Sequence, residues 1–174
     1  MDSTSSSRPG ETILLSFSPA DAHILKEFAK PIWEKAYTPI ISTTQIQYML
    51  ERGYSPGTIQ REISDGVRYQ WVIQDDRKAG FLACETSPDR TAFLHKFYLL
   101  PSFWGQGIAR SAMGTLSGML SKEGVQTLRL RVNRENRRAH QFYENCGFVK
   151  TGEDCLPIGN GFVMDDFLMS LSLH

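Results

Sequence analysis

Leu94-His95-Lys96-Phe97-Tyr98-Leu99-Leu100-Pro101, followed by Trp104-Gly105-Gln106-Gly107-Ile108-Ala109-Arg110-Ser111, is the stretch that decides the fold. The run from Thr91 to Leu100 has the apolar and aromatic density of a strand, and Pro101 ends it. Beyond the glycines, Ala109, Ala112, Met113, Leu116, Met119 and Leu120 recur at helical spacing, and Gly124 fits a C-terminal cap. A strand, a glycine turn and a helix therefore follow one another directly. The start of a helix leaves backbone N–H groups unpaired and carries partial positive charge, so it attracts phosphate. Gly105 and Gly107 would let the chain approach a pyrophosphate where a Cβ would intrude. Taken alone, the same residues also fit an ordinary tight turn into a core helix. Two nucleotide motifs are excluded: the P-loop's Gly-Lys-Ser/Thr ending is missing, and Ser or Arg stands where the dinucleotide fingerprint needs a third glycine.

Downstream, Leu128, Leu130 and Val132 alternate as a strand, and a short helix is expected from Asn136 to Cys146, with Gly147 as its stop. On that helix Asn136, Ala139, His140 and Tyr143 stand at i, i+3, i+4 and i+7, on one face. An amide, a small residue and a phenol thus share a surface. A phenol can donate a proton to a leaving thiolate. Asn136 alone could be an N-cap, and Tyr143 alone a core aromatic. Their joint occurrence after the glycine turn favours a ligand site.

In this order the motifs resemble the GNAT superfamily of N-acetyltransferases, and the resemblance spans roughly residues 12–172. It rests on Leu94 to Pro101, Trp104 to Ala109, and Asn136-x-x-Ala139-x-x-x-Tyr143-x-x-x-Gly147-Phe148. Trp104 departs from it, since the family has Gln or Arg in that slot. The resemblance implies an α/β single domain, a mixed and largely antiparallel twisted sheet flanked by helices. It implies acetyl-CoA as co-substrate, with no metal. Phe97, Tyr98 and Leu99 would bind the pantetheine arm and acetyl carbonyl through their backbone. Gly105, Gln106, Gly107, Ile108, Ala109, Arg110 and Ser111 would cradle the pyrophosphate. Asn136, with Ala139 beside it, would hold the pantetheine, and Tyr143 would protonate the departing thiolate. A narrower likeness, in Ile32-Trp33-Glu34-x-Ala36-Tyr37, Leu94 to Leu99 and Ile158 to Asp166, is to the PaiA-type spermidine and spermine acetyltransferases.

The rest of the chain is compatible with this. At 174 residues, 41% hydrophobic and net charge zero, the chain suits one domain and gives no global electrostatic reason to expect nucleic acid or an anionic membrane as partner. No apolar run approaches the ~20 residues of a membrane span. Residues 1–10 are expected as a disordered tail and 11–174 as the domain. Cys84, Cys146 and Cys155 have neither metal-ligand nor disulfide spacing, which suits buried thiols and a cytoplasmic protein. A first strand around Ile13 to Phe17 leads into an aromatic-rich helical arm over 18–66, which Pro31 and Pro39 are expected to interrupt. Tyr69 to Ile73 and Ala79 to Glu85 suggest a hairpin, and Gly161 to Leu173 a last strand, or a hairpin with the Phe148 region.

The implied chemistry is direct attack of a neutral primary amine on the thioester, in a ternary complex. The ammonium must first lose a proton, and His95 is the leading base because strand alternation would place it with Phe97 and Leu99. Glu34 is a second candidate. A small polycationic acceptor such as a polyamine would meet acids drawn from Glu34, Glu51, Glu153, Asp154, Asp165 and Asp166, with Trp33, Tyr37 and Tyr48 as aromatic walls. Two rivals stand beside this reading. One is acetylation of a protein N-terminus or lysine, which needs a long open groove between the helical arm and the C-terminal strands. The other is a non-catalytic acyl-CoA-binding regulator. A homodimer is compatible with the sequence but not demanded by it.

Overall fold

The local signals become elements largely as their chemistry dictates, in a computed structural model that describes residues 10–174. Except for Gly10, the tail expected over 1–10 lies outside the described residues. The chain runs β1 (Thr12–Ser16), α1 (Ala22–Tyr37), α2 (Thr43–Tyr54), α3 (Pro56–Ser64), β2 (Arg68–Gln74), β3 (Arg77–Thr86), β4 (Thr91–Leu99), α4 (Ile108–Lys122), β5 (Thr127–Asn133), α5 (Arg137–Asn145), β6 (Val149–Gly159) and β7 (Phe162–Ser172). Ser42 caps α2 by accepting the Gln45 N–H at 3.1 Å, and Ser55 caps α3 ahead of Pro56. Asp75 and Asp76, both at positive φ, make the turn between β2 and β3.

Pro31 does not break the arm; α1 continues through it. The ring removes one N–H from the ladder on an exposed face. On the opposite face Ile32, Trp33 and Tyr37 are buried, and this burial holds the helix together. The C-terminal alternatives resolve as a hairpin, β6 with β7.

One seven-stranded sheet, in the order β1-β2-β3-β4-β5-β7-β6, carries the fold, with every neighbouring pair antiparallel except β4 and β5. The expected mixed, largely antiparallel sheet flanked by helices is what the chain forms. On one face α1 to α3 bury Leu25, Ile32, Trp33, Leu50 and Tyr54 against Tyr69, Trp71 and Phe81. On the other, α4 and α5 cover Leu82, Leu94, Leu128 and Leu130. Within the first layer Lys96 of β4 is a partly buried cation. Its Nζ donates to the Glu62 carboxylate at 2.9 Å and to the Gly53 carbonyl at 3.0 Å, which compensates the charge and ties β4 to α2 and α3. No helix among the described residues is long and apolar enough to cross a membrane.

Candidate active site

The site begins where two strands part. β4 and β5 pair only from Thr91↔Thr127 to Leu94↔Leu130; beyond that β4 stays with β3 and β5 with β7. The cause lies in β4. Ala83 faces Lys96 and Cys84 faces Leu94, so His95 is an extra residue bulging out of the ladder. A bulge bends its strand and increases its twist, and here it leaves Phe97 to Leu99 without backbone partners on the β5 side. Gly80 sets the other edge, since a Cβ there would collide with the Tyr98 carbonyl oxygen.

The bulge also corrects the expected alternation. Phe97 and Leu99 turn toward the core under α4 and α5, but His95 does not join them. His95 is exposed, its ring 4.8 Å from that of Phe93 and its Nε2 2.9 Å from the Glu85 carboxylate.

Past β4, Gly107 adopts φ 78° and caps α4 in the left-handed region, where glycine is at ease. The amides of Ile108, Ala109 and Arg110 open the first turn, while that of Ser111 already donates to the Gly107 carbonyl at 3.1 Å. Gln106 is exposed and donates to the Ser102 carbonyl at 2.9 Å. A Cβ on Gly105 or Gly107 would meet no protein atom within 4 Å. The turn therefore fits an external phosphate: free donors and an empty approach. Trp104 gives no polar group to it, because its Nε1 donates to the Leu99 carbonyl at 2.8 Å.

From α5, Asn136 acts as the N-cap, its Oδ1 accepting the Ala139 N–H at 3.2 Å, while its side chain also reaches the Tyr37 hydroxyl. Tyr143 is buried, and its phenol is coupled to those of Tyr37 and Tyr98, which lie 3.4 Å apart. Burial raises all three phenols above the ordinary tyrosine range. Each therefore keeps its proton at neutral pH and is available as a donor.

These pieces line one cavity of about 460 Å³. Its wall brings together His95, Phe97 to Leu99, Gly105, Gly107 to Arg110, Asn136, Ala139 and Tyr143, with Tyr37 from α1. Gln106 and Ser111 are not part of that wall, and of the acceptor-side candidates only Tyr37 is. Trp33 stands one layer behind, 4.5 Å from the Tyr37 ring and donating to the Tyr54 hydroxyl at 3.0 Å. Glu34 is on the exposed side of α1. Tyr48 donates to the Ile158 carbonyl at 2.6 Å and lies against Phe162, so it fastens α2 to the β6–β7 hairpin.

Two residues matter that the motifs did not single out as cofactor or proton-transfer groups. Arg138 lines the cavity with its guanidinium 3.6 Å from the centre of the Trp104 ring, and it forms no ion pair among the described residues. The signal was available: α5 opens with Arg137-Arg138 directly after its Asn136 cap, in a chain that has lost a polar group at Trp104. Asp166 is 4% exposed, and its Oδ1 is buried without a hydrogen bond. Its sequence context, Asp165-Asp166 near a hairpin, did not distinguish it from a solvated pair. Cys84, buried on β3, has its thiol pushed up to about 11 by burial and offers no thiolate.

Comparison with known proteins agrees with this geometry. The acetyltransferase (GNAT) family model matches residues 27–148. An uncharacterised N-acetyltransferase of Mycobacterium tuberculosis is 28% identical over 149 residues, covering 83% of this chain and 96% of that protein. A spermidine N(1)-acetyltransferase of Thermoplasma acidophilum is 24% identical over 150 residues, covering 83% of this chain and 90% of that one. The PaiA N-acetyltransferase crystal structure from Thermoplasma acidophilum, solved with coenzyme A, superposes with a TM-score of 0.75 at 22% identity, over 93% of this chain and 99% of that one. The chain belongs to the acetyltransferase (GNAT) family and is an N-acetyltransferase.

Proposed function

We propose that this acetyltransferase moves the acetyl group of acetyl-CoA to a small primary amine, with polyamines first among the acceptors, by direct attack. The observation that carries the reading is the gap between β4 and β5, flanked by the Gly107 helix start and the Tyr143 hydroxyl in one cavity. Phosphates suit the amides of Ile108 to Arg110 and the Arg138 guanidinium. The edge from Phe97 to Leu99, which β5 does not pair and of which the Trp104 indole takes only the Leu99 carbonyl, suits the amide-bearing pantetheine arm, a strand-like addition. The amine nitrogen attacks the thioester carbon, the C–S bond breaks, and the thiolate takes the Tyr143 proton. The new amide nitrogen releases its extra proton to solvent, and the Tyr143 phenolate takes one back from solvent, which closes the cycle. Neither Cys84 nor the partly buried Cys146, whose thiol burial also raises, favours an acetyl-cysteine route.

A small acceptor is supported by the way the far side is closed. Gln45 donates to the Val163 carbonyl at 3.0 Å, and Tyr48 and Arg52 both donate to that of Ile158. These bonds bridge the helical arm and the C-terminal hairpin where a polypeptide acceptor would need a long groove. The name of the Thermoplasma relative supports a polyamine.

A thiol-release assay tests this with spermidine, a free amino acid and a lysine peptide. Spermidine should be turned over fastest, and no turnover of it would remove the polyamine reading. Tight CoA binding with no thiol release from any amine would favour a regulator. Tyr143→Phe should lower kcat about a hundredfold while leaving the CoA dissociation constant within about twofold. An unchanged rate would remove its proton-donor role.

A further inference from the structure

The sheet gives the two reactants separate sides. Leu128, Leu130 and Val132 of β5 face α4 and α5, so Arg131 and Asn133 face the other way, toward the layer of α1 and α2. Directly opposed residues of an antiparallel pair share a face. Asp166 of β7 opposes Asn133, and Asp154 of β6 opposes Asp166, so both acids stand on that side as well. The Asp166 carboxylate is coupled to Tyr37 and to Arg131, both in the cavity wall beyond the last β4–β5 pair.

The charges around it are unevenly assigned. Arg131 is held by Asp154 at 2.7 Å, and Arg134 by Asp165 at 3.0 Å and Glu153 at 2.9 Å. Asp154 and Asp165 thus each have a guanidinium, whereas Asp166, the buried acid of the group, has no ion pair among the described residues. A buried carboxylate without an ion-pair partner is costly, and an arriving cation would relieve that cost. The acceptor of this reaction arrives as an ammonium.

We propose that Asp166 is the counter-ion that docks the acceptor ammonium on the α1–α2 side of the gap and takes its proton. R–NH3+ and the carboxylate become R–NH2 and the carboxylic acid, directly or through one water, and the freed lone pair then attacks through the gap. The acid returns its proton to solvent after the product leaves. This rests on the acetyl-transfer reading above and names the group that activates its amine. Burial lifts Asp166 to about 6, with Asp165 and Asp154 adding to the rise and Arg131 opposing it, which places a base in its active form at neutral pH. His95, exposed and engaged with Glu85, is the competitor.

The test is the pH profile of kcat/KM for the best amine, beside CoA binding by calorimetry. The wild-type profile should have an acid limb near pH 6. Asp166→Asn should keep CoA affinity within about twofold and lose about a hundredfold in kcat/KM at pH 7. Its profile should lose that limb and rise with the fraction of free amine instead. Asp154→Asn removes a like charge and frees Arg131, so the limb should move to lower pH. Asp166→Asn with near-wild-type activity, or with the limb intact while His95→Gln removes it, would overturn the assignment and leave acetyl transfer standing. If wild-type protein binds CoA but turns over no amine, the acetyl-transfer reading falls and this one falls with it.

Discussion

The two sides of the gap are built on different principles. The side under α4 and α5 is contiguous: β4, the glycine turn, α4, β5 and α5 occupy residues 91–145, and much of what faces the cavity is backbone. The side under α1 and α2 is assembled from distant pieces, Tyr37 from α1 and Arg131 from β5 in the cavity wall with Asp166 of β7 interacting with both, and on the proposed reading it would act through side chains. A backbone cradle tolerates many sequences so long as the turn and strand geometry are kept. A side-chain cluster changes its ligand with one substitution. The first half thus suits a fixed co-substrate, the second an acceptor that can vary.

The largest effect should come from breaking the backbone half. Gly107→Val puts a β-branched residue at φ 78°, a strain of about 1–3 kcal/mol, and directs its methyls to the open side of the turn. CoA affinity measured by calorimetry should fall about a thousandfold, the strain and the blocked approach acting together. Because no protein atom opposes the new Cβ, the fold should survive, as thermal unfolding can confirm. Undiminished CoA binding would mean that the phosphates sit elsewhere and that the contrast between the halves is false.

This difference also explains what the sequence made legible. Gly107, Asn136 and Tyr143 lie in local motifs whose proposed roles follow from helix starts and one-face spacing, so their meeting in one cavity was accessible from the string. The bulge at His95 was not. It depends on β3 pairing with β4 across Gly80, and nothing within Leu94 to Leu99 marks the extra residue. Trp33 and Tyr48 have the composition expected of an acceptor wall, but tertiary packing uses one as core and the other as a fastening to Ile158. Asp166 needed the β5–β7–β6 register before it could be told from its neighbour Asp165.

A smaller effect sharpens the side-chain half, in stability rather than turnover. Burial pushes Asp166 up to about 6 in the fold from the ordinary 3.8 of an aspartate, so the folded state holds the extra proton between those values. Its contribution is present at low pH and is lost as pH rises toward 6 and above. The loss amounts to about 3 kcal/mol at most. Asp166→Asn escapes that loss, so its stability relative to wild type should be greater at pH 7.5 than at pH 4. Denaturant unfolding at the two pH values measures this, and carboxylates with the opposite shift, such as Glu123 and Glu153, cancel in the comparison. A pH-independent difference would mean that Asp166 is not an uncompensated charge.

The smallest effect concerns Trp104, where the chain departs from its family's Gln or Arg. The indole is committed to the Leu99 carbonyl and cannot serve a phosphate, yet it supports the Arg138 guanidinium on its face at the cavity wall. Burial lowers the Arg138 guanidinium from its ordinary range without removing its charge, and an unpaired cation beside free helix amides suits a pyrophosphate. The lost polar neighbour would thus be replaced from α5, across the turn. Arg138→Ala should weaken CoA binding about tenfold, or ~1.4 kcal/mol, at low ionic strength and less in high salt, where charges at the surface are screened. Trp104→Leu should reproduce part of the loss, and the double variant should lose less than the sum, since the ring acts by holding the guanidinium. Full additivity would separate the two residues and leave the backbone amides as the principal hold on the phosphates.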